Sequence, residues 1–141
     1  MQSLVKIFVH VIFATKGREP MILPEFEVGV YQRLQRNLEK QEVEVIAING
    51  MPEHVHIVLR LPSTKSTSEV IRWCKGETSH WFNNKRKQDQ ERQLYWQDGY
   101  AAFSVSENEL HQVKEYVENQ KEIHHQQTFA QEIEMLKGNL K

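Results

Sequence analysis

The apolar residues of this chain switch between a period of two and a period near four, and the order of those switches restricts its fold more than any other feature. Val5, Ile7, Val9, Val11 and Phe13 occupy alternate positions, with Lys6 and His10 between them. Successive side chains of a strand point to opposite faces, so this pattern predicts a strand with one buried face. Lys16-Gly17-Arg18-Glu19-Pro20 then has the polarity and the Gly and Pro of a turn. Over residues 24–41 the period lengthens: Phe26, Val30, Leu34 and Leu38, with Tyr31 beside them, make one apolar stripe of a helix. Residues 43–48 return to strand character, and Asn49-Gly50 is a hairpin signal. A third strand is expected from His54 to Leu61, ended by Pro62-Ser63.

Ser66-Thr67-Ser68-Glu69 has the Ser-x-x-Glu form of a capping box, in which side chain and backbone satisfy each other at a helix start. The helix it opens carries Val70, Trp73, Cys74, Trp81 and Phe82, and the polar residues 83–92 after it are expected to be a mobile loop. Residues 94–105, broken by Asp98-Gly99, read as a last strand or a bent pair. Ser106-Glu107-Asn108-Glu109 opens a helix with Leu110, Val113 and Val117 toward the core. Thr128-Phe129-Ala130-Gln131 opens a short one with Ile133 and Leu136. The order β-α-β-β-α-β followed by helices predicts an α+β fold. It is a ferredoxin-like, RRM-like antiparallel sheet (split βαβ), with helices on one face and added C-terminal helices. No repeat or linker interrupts it, so residues 1–141 are expected to form a single domain.

At 141 residues and 39% hydrophobic, the chain can bury one sizeable core. Its one cysteine, Cys74, excludes an intramolecular disulfide and a Cys-rich zinc finger. No apolar run is long enough for a membrane span, and the N-terminus reads as a strand rather than a leader, so a cytoplasmic protein without membrane contact is expected. A net charge of −1 argues against a protein that coats nucleic acid through many phosphate contacts. It leaves room for an enzyme that grips a short strand with a local basic face. Seven histidines invite a search for a metal site.

His54-Val55-His56 lies within an apolar strand, where alternation sends both imidazoles to one face, about 7 Å apart. Such a pair can converge on one metal ion, or can be two half-buried histidines satisfied by hydrogen bonds. Tyr116 and Gln120, four apart on the helix opened by Ser106, share a face beside its apolar stripe. They fit a phenol and an amide at a cleft, and equally a boundary tyrosine with an exposed glutamine. Together the two pairs suit phosphoryl transfer. A cation held by His54 and His56 would neutralise a phosphodiester, Tyr116 would be the covalent nucleophile, and the Gln120 carbonyl could complete the metal shell. His124-His125 follows that helix, but adjacent residues diverge on a helix, so the pair is expected at the surface or facing nucleic acid. Arg72, Lys75, Lys85, Arg86 and Lys87, interleaved with Trp73 and Trp81, could track phosphates and stack bases, or form a solvated helix with core aromatics. With Lys16 and Arg18 of the first loop, Arg72, Lys75, Lys85 and Arg86 are the candidate contacts to nucleic acid.

The segment Met51-Pro52-Glu53-His54-Val55-His56-Ile57-Val58-Leu59 resembles the metal motif of the single-tyrosine HUH transposases, encoded by the smallest bacterial insertion sequences and by relatives at repetitive extragenic palindromes. The likeness includes His10-Val11-Ile12-Phe13-Ala14-Thr15-Lys16 and the stretch from Trp96-Gln97-Asp98-Gly99-Tyr100 to Ser106. It continues through Tyr116-Val117-Glu118-Asn119-Gln120, His124-His125 and Thr128-Phe129. The resemblance implies that His54, His56 and Gln120 bind a divalent ion, Mg2+ or Mn2+, and that Tyr116 becomes bonded to a 5′ phosphate. It implies action on single-stranded DNA hairpins at element ends. It also implies a homodimer whose sheets join, in which the tyrosine helix of one chain can complete the partner's site. On ligand softness, two histidines and an amide suit zinc or manganese better than magnesium.

Two other readings use the same residues. A non-catalytic module could bind single-stranded nucleic acid by stacking on the sheet, which would leave His54, His56, Tyr116 and Gln120 without a joint role. A metal hydrolase in which water attacks would keep the histidines and make Tyr116 dispensable.

Overall fold

Alternation in the first segment becomes strand β1, Ile7–Ala14, in a computed structural model that describes residues 1–138; residues 139–141 of the expected domain lie outside the described residues. Helix α1 follows at Pro24–Glu39, with Pro24 at its first turn, where a missing N–H costs nothing. Strands β2, Glu44–Met51, and β3, His54–Leu61, form a hairpin. Helix α2, Thr67–Lys85, starts at the expected Ser66 cap with both bonds of the box made. Strand β4 is Ala101–Val105. The sheet order is β2-β3-β1-β4 with every neighbouring pair antiparallel, which is the ferredoxin-like arrangement.

Helices α1 and α2 cover one face. Val9, Val11 and Phe13 of β1 and Val55, Ile57 and Leu59 of β3 pack there against Val30, Leu34, Leu38, Val70, Ile71 and Phe82. Each such aliphatic burial is worth about 1.5–3 kcal/mol, so this layer fixes the strand register: a slip by one residue would expose the whole set. Between the helices, the buried Asn37 amide donates to the Thr78 hydroxyl at 3.0 Å. Cys74 lies at the same interface, and burial pushes its thiol up to about 12, a structural rather than reactive cysteine.

The C-terminal helices lie on the opposite face, which the alternation of β1 did not announce. Beyond Ile7 every residue of β1 is buried, on both faces. A turn of 3-10 helix, Glu107–Glu109, leads from the Ser106 cap into α3, Leu110–Glu118, and Val117 packs with Leu110 and Val113 against Ala47 and Val58. Short helix α4, Gln120–Ile123, and α5, Phe129–Gly138, complete this layer. The Thr128 box forms reciprocally: Thr128 N–H donates to Gln131 Oε1 at 2.9 Å, and Gln131 N–H to Thr128 Oγ1 at 3.2 Å.

Three local expectations change. Asn49-Gly50 is not the hairpin turn; both residues pair within β2, opposite His56 and Val55, and the turn falls at Pro52-Glu53. Residues 83–92 are partly tied down, because α2 runs to Lys85 and the Asn83 side chain bonds Leu94 on both its N–H and its carbonyl. The segment before β4 forms no strand of its own and joins the sheet by an isolated bridge, Trp96 opposite Thr15. Its indole stacks edge-on against Phe13 and donates to the Lys75 carbonyl at 2.9 Å. No helix among the described residues is long and apolar enough to cross a membrane.

Candidate metal centre and tyrosine

His54 and His56 have the opposite parity to the core residues of β3, so both point to the face covered by the C-terminal helices, and both are fully buried. Each has its Nδ1 held by another side chain. Glu53 Oε1 lies 3.0 Å from His54 Nδ1, and His10 Nε2 lies 2.8 Å from His56 Nδ1. His10 is opposite Val58 in the register and reaches His56 as a diagonal neighbour across the β1–β3 pair. An imidazole anchored at Nδ1 presents Nε2 in a fixed direction, the pattern of metal-binding histidines with outer partners. Gly50 permits this placement, since a Cβ there would overlap the carbonyl oxygen of His54.

Tyr116 and Gln120 do not share one helix. Asn119 leaves helical geometry, at φ −97 and ψ 18, and ends α3 before Gln120 starts α4. The two side chains still arrive at one place. The break is held by Asn49 Nδ2, which donates to the Glu118 carbonyl at 2.9 Å. Lys121 Nζ holds α4 to the hairpin, at 2.9 Å from Asn49 Oδ1 and 2.5 Å from the Gly50 carbonyl. Gln120 is buried and Tyr116 half-buried.

The meeting point is a residue that sequence reasoning missed, Glu132. Its Oε1 lies 3.4 Å from His54 Nε2, 3.1 Å from His56 Nε2 and 2.9 Å from His124 Nε2. Its Oε2 accepts from Gln120 Nε2 at 2.7 Å and from the Tyr116 hydroxyl. Gln120 Oε1 also faces His54 Nε2, at 3.3 Å. The signal for Glu132 was available: with Phe129, Ile133 and Leu136 it shares the inward stripe of α5, where an unpaired carboxylate would not be tolerated. His124, expected at the surface, belongs to this cluster instead; α4 ends at Ile123, so the helical argument that parts it from His125 does not govern its direction. Phe129 covers His54, with ring centroids 4.2 Å apart.

The electrostatics follow from packing so many groups out of water. Burial would raise Glu132, but hydrogen bonds from His54 and His56, the charge of His56 and the Tyr116 hydroxyl hold it well below the carboxylate range. Burial acts against the charged form of His54, yet its bonds to Glu132 and Glu53 outweigh that and raise it. His56 is more deeply enclosed, and for it burial wins and lowers the value. His10 is lowered to about 3, by burial and then by the charge of His56. Tyr116 is raised, by burial and then by its bond to the Glu132 carboxylate and that group's charge. The donor set of imidazoles, carboxylate and amide oxygen fits a divalent transition ion.

The basic residues singled out in the sequence do not form one group. Arg18 is beside the site: its guanidinium lies 5.0 Å over Phe129, which itself stacks on His54. An open groove of about 610 Å³ lined by Arg18, Glu53, His124 and Phe129 borders the cluster. Lys16 is exposed in the same loop. Arg72 and Lys75 line a separate cleft of about 420 Å³ with Trp96 and Tyr100. Lys75 is bonded there to the Gln97 and Gly99 carbonyls, both at 2.9 Å. Lys85 and Arg86 stack on aromatic rings at the end of α2, on Trp81 and on Phe26 and Phe82.

Comparison with known proteins gives a consistent picture. The sequence profile of the family described as "Transposase IS200 like" matches residues 3–120. The ISDra2 transposase TnpA of Deinococcus radiodurans is 26% identical over 114 residues, 79% of this chain and 81% of that protein. The transposase for insertion sequence element IS200 of Salmonella typhimurium is 25% identical over 117 residues, 80% and 76% of the two chains. Among solved structures, a Deinococcus radiodurans R1 protein described as a transposase superposes with a TM-score of 0.67 at 25% identity, covering 85% of this chain and 95% of that one. A REP-associated tyrosine transposase bound to a REP hairpin gives 0.65 at 15% identity, over 88% and 72%, and shares the fold.

Proposed function

Because this chain belongs to the IS200-like transposase family, we propose that it cleaves and rejoins single-stranded DNA at hairpin-bearing ends through a 5′-phosphotyrosine made on Tyr116. The single observation that carries this reading is that the Tyr116 hydroxyl and the Nε2 atoms of His54 and His56 converge on the two oxygens of one carboxylate, Glu132. His54, His56 and Gln120 would hold a divalent cation, Mg2+ or Mn2+, which when bound supplies positive charge to a phosphodiester and polarises its phosphorus. Tyr116 supplies the nucleophile. Its raised pKa keeps it a neutral phenol at neutral pH, so its proton must leave to solvent during attack, and Glu132 Oε2, the hydrogen-bond acceptor it already faces, orients the hydroxyl. The phenolic oxygen bonds to phosphorus, the bond to the 3′ oxygen breaks, and that oxygen takes a proton from solvent to depart as a free 3′ hydroxyl.

Glu53 and His10 orient the two histidines, and Phe129 shields them from water. Lys16, Arg18, Arg72, Lys75, Lys85 and Arg86 remain the basic residues assigned to DNA, with Arg18 the best placed to meet a strand entering the site. The REP hairpin bound by the structural relative supports a hairpin as the form of DNA recognised. One unit of residues 1–141 would carry this activity in the cytoplasm, and edge strands β2 and β4 offer backbone through which two sheets can join as a homodimer.

The test is incubation with hairpin-bearing single-stranded DNA and Mn2+, followed by denaturing electrophoresis. A protein–DNA adduct is expected with the natural chain and none with Tyr116→Phe. Cleavage without an adduct, retained by Tyr116→Phe, would mean that water attacks. Binding without cleavage would mean a passive module.

A further inference from the structure

Resting on the reading of a cation held at His54 and His56, we infer that His124 and Glu132 are two further ligands of that ion, so that this chain builds an imidazole-rich metal shell from its own residues. Within the cluster one ligand atom each from His54, His56, His124 and Glu132 lies within 4.8 Å of every other. Donors bound at about 2.0–2.2 Å to one ion stand about 2.8–3.6 Å from their neighbours in octahedral or tetrahedral shells. Glu132 Oε1 is already at 2.9, 3.1 and 3.4 Å from the three imidazole Nε2 atoms, and Gln120 Oε1 at 3.3 Å from His54 Nε2. These separations match the edges of a coordination shell, and the wider ones in the cluster, up to 4.8 Å, would contract as the ion binds.

Hydrogen bonding alone accounts for the cluster less well. It would require a proton on each of three crowded Nε2 atoms directed at one oxygen, with Gln120 Oε1 competing for the same His54 nitrogen. A cation takes all of these atoms as lone-pair donors. The outer bonds agree, because Glu53 and His10 occupy the Nδ1 positions and leave Nε2 directed inward. Gln120 then has two parts: its oxygen borders the ion, while its N–H holds Glu132 Oε2 at 2.7 Å and fixes the carboxylate.

Three imidazoles and one carboxylate favour a transition ion such as manganese, cobalt or zinc over magnesium, which prefers oxygen ligands and retained water. Five donors leave one position of a six-coordinate shell, enough for a single phosphate oxygen. The site is therefore completed by α5 rather than by the strand motif alone.

The experiment is titration of the full-length, metal-free protein with Co2+, read by visible absorption and by calorimetry, with Mg2+ as competitor and no DNA present. The natural protein is expected to develop the weak visible bands of five- to six-coordinate cobalt, with a saturable calorimetric signal that a hundredfold excess of Mg2+, roughly, does not displace. Glu132→Gln and His124→Ala should each weaken Co2+ binding by more than about tenfold and alter the bands, since losing even an outer partner costs a metal site that much. Thermal melts in chelator check folding, and His124→Ala, at the groove edge, serves if Glu132→Gln does not fold. Unchanged affinity and bands in both variants, with binding lost in His56→Ala, would overturn this inference and leave the two-histidine reading standing. Binding unchanged in His56→Ala as well would overturn both.

Discussion

At Gly50 the chain has no room for a side chain, although the residue sits in an ordinary strand rather than a turn. A Cβ there would run into the backbone of His54 and Val55, and the Gly50 carbonyl receives Lys121 from α4. Gly50→Ala must push the β2–β3 pair apart at the point where the histidines start. A loss of about 1–3 kcal/mol is expected, the usual cost of overpacking, and a urea midpoint equal to that of the natural protein would refute it. His10 makes a different residue-scale prediction. Its folded pKa of about 3 lies below the ordinary 6.5, so below pH 6.5 the unfolded chain takes up a proton that the folded chain refuses. The stability this contributes is complete above pH 6.5 and is lost as pH falls from 6.5 toward 3, at up to about 1.4 kcal/mol per unit. His10→Gln, which keeps an acceptor for His56, should flatten that acid slope. Urea melts between pH 7.5 and 5 with parallel slopes in the two proteins would contradict it.

At the scale of elements, the largely apolar α1–α2 interface holds a buried polar pair, Asn37 with Thr78. Thr78→Val keeps the shape and removes the acceptor, leaving the Asn37 amide unsatisfied in the core. We expect a loss of about 1–3 kcal/mol by denaturant melting, and almost none for Thr78→Ser, which retains the hydroxyl. Elements of this kind were legible because periodicity and caps are local: β3 has its expected bounds and α2 its expected cap. What was not legible depended on distant partners. Asn49-Gly50 has turn chemistry, but the pairing of β2 with β3 moves the turn three residues on, to Pro52-Glu53. The spacing of Tyr116 and Gln120 suggested one helix, and the bond from Asn49 to Glu118 crosses the break that separates them. Glu132 was overlooked because a carboxylate in a short C-terminal helix reads as solvated until three imidazoles are seen around it.

Across the whole molecule the two sheet faces divide the labour. The face under α1 and α2 carries an apolar core, while the other carries the histidines under α3, α4 and α5, so site and fold share strands without sharing side chains. The second layer is anchored to its own chain: Val117 packs on Ala47 and Val58, and Lys121 is bonded to Asn49, Gly50 and Glu27. Tyr116 therefore faces the His54 and His56 of the same polypeptide. A tyrosine delivered to a partner's histidines would first have to surrender that packing and those bonds. With Tyr116 as the proposed nucleophile, this packing predicts action in cis, and mixing two variant proteins tests it. Tyr116→Phe lacks the proposed nucleophile and His56→Ala a proposed metal ligand, so in cis every chain in the mixture is defective. The expected result is no adduct on hairpin-bearing DNA from the mixture, even after unfolding and refolding the two together to exchange partners. In a shared site, half of the mixed dimer's centres would hold an intact tyrosine and intact histidines, so recovery of adduct to about a quarter of the natural level would overturn the cis assignment.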